Sequence, residues 1–373
     1  MKILHISNYY YPHIGGIEQV ARDFANSIKD AEQKVFCFNH EKGDKKDVVD
    51  GVEIIRAGCF AKVSSQSLSF SYGKLLKKTF KEFEPDTVVF HFPNPFGSHY
   101  LLKLLKKRTG CKLIVYYHLD ITKQKILGKL FAGQTRRLLS RATKILATSP
   151  VYAEHSKVLR NFKDKCEVLP LCVNPERVSY GEEEEKLAAE IRAKDSGKII
   201  IFAVGRHVPY KGMEYLVRAS KLLDDGYKIY IGGKGPLTDS LKRLAEGDSK
   251  IEFTGVINDS ALKAHFLAAD IFCFPSITKN EAFGIALAEA MSFSKPAVTF
   301  TIEGSGVNYV NLNGVTGMEV ENGNVEAYAE AVKALAESGE LREKYGKAAK
   351  ARVDELFSAE RFAENVRNLI KTI

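Results

Sequence analysis

Arg206 and Lys211 stand five residues apart in AVGRHVPYKG, and Glu281 and Glu289 stand eight apart in TKNEAFGIALAEAMS. Two cations fixed in one short loop suit a diphosphate, because a planar guanidinium grips oxygens in pairs and an ammonium adds a point charge. Two carboxylates accept hydrogen bonds from hydroxyls, so a pair of them suits a polyol such as a ribose and a sugar. Gly233 and Gly235 in YIGGKGPL, and Gly284 in the second motif, would let a ligand reach the backbone closely. The first free N–H groups of a helix opening near Gly284, around Phe283, Gly284, Ile285 and Ala286, would form an anion site. In the first half, Gly15 and Gly16 precede a helical stretch, His118 and Asp120 end the strand-like YYHLD, and His91 ends VVFHFPNP. Taken singly, each feature has a plainer reading: solvated cations, tight turns, a glutamate that favours a helix start, a structural histidine.

Several chemistries are excluded on motif grounds. No GxxxxGK[ST] occurs, so the chain is not a P-loop NTPase. YIGGKGPL is not the dinucleotide fingerprint, since position 238 is Thr where a third Gly is needed. No cluster resembles a paired-carboxylate metal site, and the six cysteines form no C-x-x-C pair, which argues for reduced, structural thiols in the cytoplasm. No apolar run approaches the roughly 18–20 residues of a membrane span. MKILHISNYY lacks the apolar core of a signal peptide and reads as a first strand.

The elements that must position these residues are legible as an alternation. Strand-like KILHIS, KVFCFN, VEIIRA, TVVFHF, KLIVYYH and KCEVLPL are separated by helical stretches such as IEQVARDFANSI and GKLLKKTFKEF. An acidic, polar stretch, GEEEEKLAAEIRAKD, interrupts the series. The alternation then restarts with KIIIFAVGR, YKIYIGG, KIEFTG, DIFCFPS and KPAVTF. Two βα series of similar size predict an α/β chain of two Rossmann-like domains with a cleft between them. The expected boundaries are 1–175, 176–355 and a last helix, 356–373, that could pack back on the first domain. Each functional loop follows a predicted strand, where open α/β sheets bind ligands.

Charge is uneven. Residues 1–175 hold 29 Lys and Arg against 16 Asp and Glu, while residues 176–373 hold 26 against 30. The first domain is therefore expected to meet an anionic surface, with KQKILGKLFAGQTRRLLSRATK the densest stretch.

As a set, PHIGGIEQV, YYHLDITKQK, ATSPVYAEHS, GRHVPYKG, GGKGPL, FPSITKNEAFGIALAEAM and SGVNYVNLNGVTG resemble the GT-B-fold retaining glycosyltransferases of family 4. The resemblance covers nearly the whole chain, and within the family it is nearest to bacterial mannosyltransferases of O-antigen assembly. It implies that Arg206 and Lys211 bind the donor diphosphate, that Glu281 holds sugar hydroxyls, and that the backbone of Phe283, Gly284 and Ile285 lies near sugar and phosphate. It further implies that Glu289 binds the ribose, that Gly16 faces the diphosphate from the other lobe, and that His118 contacts the donor sugar. The expected donor is GDP-mannose and the acceptor a lipid-linked oligosaccharide, with no metal or other cofactor and no nucleic acid. The expected location is the cytoplasm, at the inner face of the cell membrane. A UDP-sugar-dependent enzyme of the same fold is the main rival. A nucleotide-sugar epimerase or a sugar phosphorylase could share two facing Rossmann lobes, and a basic nucleic-acid binder is the non-enzyme alternative.

Overall fold

In the computed structural model the chain divides into two compact units, Met1–Leu171 with Glu360–Ile373, and Cys172–Ala359. The structure describes residues 1–13, 15–63, 66–120 and 125–373, with the backbone alone for Val63 and 125–130. Ile14 of PHIGGIEQV, residues 121–124 of YYHLDITKQK and the side chains that open the basic stretch lie outside the described residues.

The first unit contains β1 (Lys2–Ile6), β2 (Glu32–Phe38), β3 (Lys45–Val49), β4 (Val52–Ala57), β5 (Ala61–Val63), β6 (Gln66–Leu68), β7 (Thr87–Phe92), β8 (Lys112–Tyr117), β9 (Lys144–Ala147) and β10 (Cys166–Val168). Eight of these form one sheet in the order β10-β9-β8-β7-β1-β2-β4-β3, and β5 and β6 pair separately. All the large-sheet pairings are parallel except β3 with β4. That hairpin turns through Asp50 and Gly51, both at positive φ, the two-residue connection that suits right-twisted antiparallel strands. β7 is buried along its whole length. Its largely apolar sequence, TVVFHF, suits a parallel strand covered on both faces. The helix Gly16–Asn26 lays Phe24 on the sheet, and the ring of Phe362 from the last helix, Ala359–Lys371, lies edge-on to it at 6.4 Å.

The second unit contains β11 (Ile199–Val204), β12 (Tyr227–Gly232), β13 (Ile251–Gly255), β14 (Ile271–Phe274), β15 (Ala297–Phe300) and β16 (Gly317–Val320), all parallel, in the order β13-β12-β11-β14-β15-β16. Both sheets reverse their winding once, between β1 and β7 in the first unit and between β11 and β14 in the second. At such a switch point the loops leave neighbouring strands in opposite directions and open a crevice at the carboxyl edge. Among the described residues no helix is long and apolar enough to cross a membrane.

Candidate functional site

The switch point of the second unit gathers most of the residues singled out by the sequence. β11 runs into Gly205, Arg206 and His207, then a single 3-10 turn, Pro209–Lys211, then Gly212 and the helix Met213–Ser220. β14 runs into the loop that carries Ser276 and Glu281, then the helix Ile285–Ser292. Because β11 and β14 are neighbours, these two loops meet. Tyr210 O accepts from Ile277 N at 3.0 Å, and Lys211 Nζ sits 2.5 Å from Glu281 Oε2. Ser276 Oγ donates to the same carboxylate at 3.2 Å.

Gly212 makes the approach possible. It has φ 61°, and a Cβ there would fall 2.0 Å from Pro275 O. The floor under the pair is Phe274, whose ring centre lies 4.7 Å from Lys211 Nζ. Gly284 packs on the same ring: a Cβ there would come 3.2 Å from Phe274 Cε1. Gly284 also takes φ 98° and caps the helix that begins at Ile285, one residue later than the sequence suggests. The start of that helix, with its unshared N–H groups, is thereby drawn to the ring that carries Lys211. Arg206 is exposed and donates through Nη2 to Tyr210 Oη at 3.2 Å. Phe283 is buried, edge-on to Phe357 at 5.1 Å. The loop after β15 braces this edge. Ser305 Oγ donates to Glu281 O at 2.5 Å, and a Cβ on Gly306 would fall 1.9 Å from Ala282 O.

Two features depart from the plain sequence reading. Gly233 and Gly235 clamp one loop on another: a Cβ at 233 would meet Gly205 O at 2.0 Å, and one at 235 would meet His207 O at 2.5 Å. Close backbone approach is indeed their work, but the partner on view is the arginine-bearing loop of the same sheet. Glu289 is neither solvated nor unpaired. It is 4% exposed, and Arg177 Nε donates to its Oε1 at 3.0 Å. Burial pushes the Glu289 carboxyl above its usual range, and the Arg177 charge pulls it back. Arg177 Nη1 also donates to Asp259 at 2.5 Å.

In the first unit, Gly16 is the first helical residue after β1, and nothing described lies within 4 Å of where its Cβ would be. The described residues place no steric demand for glycine there. His118 follows β8, is 4% exposed, and shares a 3.1 Å hydrogen bond between its Nε2 and His91 Nδ1. Burial pushes the His118 imidazole down to about 3, so it is neutral near pH 7. Asp120 turns inward, accepting from Tyr117 Oη at 2.8 Å and Ser156 Oγ at 2.9 Å. Ser276 and Ser305 lie in motifs that the sequence singles out, though with no role of their own, and Arg177 lies in none. Arg177 lies 112 residues from Glu289, and no local pattern marks it.

Comparison with known proteins agrees with this architecture. The family model described as glycosyl transferases group 1 matches residues 184–352, and that of glycosyltransferase family 4 matches residues 14–177. The O-antigen chain mannosyltransferase C of Escherichia coli is 29% identical, over 100% of this chain and 99% of its own. The D-rhamnosyltransferase WbpZ of Pseudomonas aeruginosa is 30% identical, over 96% of this chain and 93% of its own. The Anabaena protein HepE, solved in complex with UDP and glucose, superposes with a TM-score of 0.79 at 16% identity, covering 100% of both chains. Two family models that together span most of the sequence, and a full-length relative at 30% identity, place the chain in glycosyltransferase family 4, as a hexosyltransferase of the GT-B fold.

Proposed function

We propose that the chain transfers mannose from GDP-mannose to a lipid-linked oligosaccharide of a cell-surface polysaccharide, with retention of configuration. The carrying observation is the meeting of Lys211, Glu281 and the Ile285 helix start over Phe274 at the switch point of the second unit. In this reading Lys211 and Arg206 hold the diphosphate, and Glu281 takes sugar hydroxyls. Glu289, with one oxygen held by Arg177, offers the other to the ribose. Gly233 and Gly235 bring the Arg206 loop into place.

The bond from the anomeric carbon to the diphosphate oxygen breaks while the acceptor oxygen bonds to the same face of that carbon. The acceptor proton passes to the departing phosphate. Charge growing on that phosphate is met by two cations and a helix start, so the reaction needs no metal. The mannose assignment is supported by the E. coli relative, whose name is that of a mannosyltransferase of the O-antigen chain. HepE has also been solved in complex with UDP-glucose, which keeps a UDP-sugar as the rival donor. Thermal unfolding with GDP, GDP-mannose, UDP and UDP-sugars separates them. At about 100 times Kd the true donor should raise Tm by about 5–10 °C. A shift with uridine nucleotides alone would move the assignment to a UDP-sugar, and no shift with any of the four would remove the donor site.

The basic first unit fits an acceptor presented at the inner face of an anionic membrane. On the helix Lys125–Arg141, Thr135, Leu138 and Leu139 are buried, while Arg136 and Arg137 are exposed on the other side. Each cation near such a surface contributes about 1 kcal/mol. Co-sedimentation with vesicles should rise with the fraction of anionic lipid and fall with salt. Binding indifferent to both would overturn the membrane reading.

A further inference from the structure

Arg177 sits on the one-turn helix Pro175–Val178, whose start is capped by Asn174: its Oδ1 accepts from Glu176 N at 2.9 Å. Arg177, Asp259 and Glu289 all belong to the second unit. Arg177 divides its donors between the two carboxylates. Nε donates to Glu289 Oε1 at 3.0 Å, and Nη1 donates to Asp259 Oδ1 at 2.5 Å. The two acids differ in setting. The side chain of Asp259 is 69% exposed, that of Glu289 only 6%. Asp259 opens the helix Asp259–Ala268, where Asn258 Oδ1 accepts from Ala261 N at 2.8 Å. A planar guanidinium bonded at two of its edges cannot swing freely, so Asp259 fixes the group that holds Glu289.

Glu289 stands apart on its own helix. The other buried residues of Ile285–Ser292 are Leu287, Ala288, Ala290 and Met291, all apolar. Stability alone does not call for an acid there, since replacing a buried ion pair by apolar residues of similar size is often neutral or stabilising. Arg177 uses one oxygen of the pair. Oε2 bonds to none of the described residues and yet is not sealed in, so it keeps an opening to the outside. Glu289 lies four residues after Ile285, one turn along the same face, and helical side chains lean back towards the amino end. The open oxygen is thereby aimed along the turn that starts at Gly284 over Phe274. That turn is where the diphosphate is proposed to sit, and in a nucleotide the ribose follows the diphosphate by one methylene.

We propose that Arg177 is a positioning residue: it holds Glu289 by Oε1, with Asp259 fixing the guanidinium, so that Oε2 accepts from the ribose hydroxyls and the site prefers nucleotides that carry them. The proposal rests on the reading of Glu289 as the ribose contact. It adds the group that makes this contact selective.

The test is calorimetric titration of the full chain with GDP and 2′,3′-dideoxy-GDP, and with the same pair of uridine nucleotides. For the base that binds, the parent should favour the ribose form by about 10–100-fold, the scale of hydrogen bonds to a charged group. In Arg177→Met that preference should fall below about threefold, while affinity for the dideoxy form stays within about threefold of the parent. Both forms weakened alike, with the preference intact, would overturn the positioning, because a purely structural role lowers the two together. Arg177→Lys keeps a charge but has no planar fork, and it serves where the methionine variant does not fold. Its preference should fall by about threefold or more, and an unchanged preference would overturn the proposal. Glu289→Ala separates the two layers. A parent that binds both forms equally or binds neither, or a Glu289→Ala variant that keeps the preference, would overturn the ribose contact and the positioning with it. A preference lost in Glu289→Ala but kept in Arg177→Met would overturn the positioning alone.

Discussion

Lys211→Ala should lower turnover by about 10²–10³-fold, the scale of losing one preorganised donor to a developing anion. The structure gives this variant two separate reasons to fail. It removes the ammonium proposed to meet the diphosphate. It also uncovers Glu281, whose carboxylate is 12% exposed and is otherwise neutralised 2.5 Å away. A carboxylate left unpaired where phosphate oxygens must sit repels the ligand as well as failing to hold it. Arg206→Ala should be milder, because Arg206 is exposed and its hydrogen bond is to the neutral Tyr210 Oη. The double variant Lys211→Ala with Glu281→Gln should lose less than the product of its parents, since the second change removes the repulsion that the first creates. Steady-state rates at saturating donor and acceptor read all three. A Lys211→Ala enzyme within threefold of the parent would mean that this cation belongs to the fold alone.

Acid should destabilise the first unit steeply, and the reason is a row of three buried histidines, His5, His91 and His118. His5 is held down to about 4 and His118 to about 3, while His91 is held well below the ordinary histidine value. Burial is the first cause in all three; at His91 the nearby His118 and His5 rings lower it further. Phe24, Tyr116 and Gln33 pack on these rings or bond to them, and none offers a charge that would favour the imidazolium. Above about pH 6.5 both folded and unfolded chains carry neutral rings, so the row adds no pH dependence. Below it the unfolded chain takes up protons that the folded chain refuses. Stability then falls by about 1.4 kcal/mol per pH unit for each histidine, or about 4 kcal/mol per unit for the row. The fall eases only near pH 4 and then pH 3, where His5 and His118 charge in place. A domain stable by about 5–15 kcal/mol cannot absorb much of that. Urea midpoints followed by near-ultraviolet circular dichroism should therefore drop sharply between pH 6.5 and 5. His5→Leu should flatten the slope, and a parent midpoint constant over that range would show that these rings are protonated in the folded state.

The alternation of apolar runs and helical stretches made both Rossmann-like units readable, because a strand covered on both faces is apolar along nearly all its length. Strands that escape this rule were missed. β3 reads KKDVV, is largely exposed at a sheet edge, and betrays itself only through the Asp50-Gly51 turn. At the site, the glycines and charged residues were identifiable by type, but their partners were not. Lys211 and Glu281 meet because β11 and β14 are adjacent, and adjacency at a switch point is a property of sheet order, which local spacing does not encode. Arg177 reaches Glu289 from a four-residue helix in a segment with no motif of its own. His91 was visible as a strand-end histidine, yet its bond to His118 depends on the β7–β8 register.

The first unit takes its closing residues, Glu360–Ile373, from beyond the whole of the second. Synthesis runs from the amino end to the carboxyl end, so Phe24 emerges early but must wait for Phe362 until every described strand of the other unit has been made. The half that appears first is thus finished last. A fragment ending at Leu171, however convenient for the bench, would carry an uncovered aromatic seam, and should be the stickier of the two halves when each is produced alone.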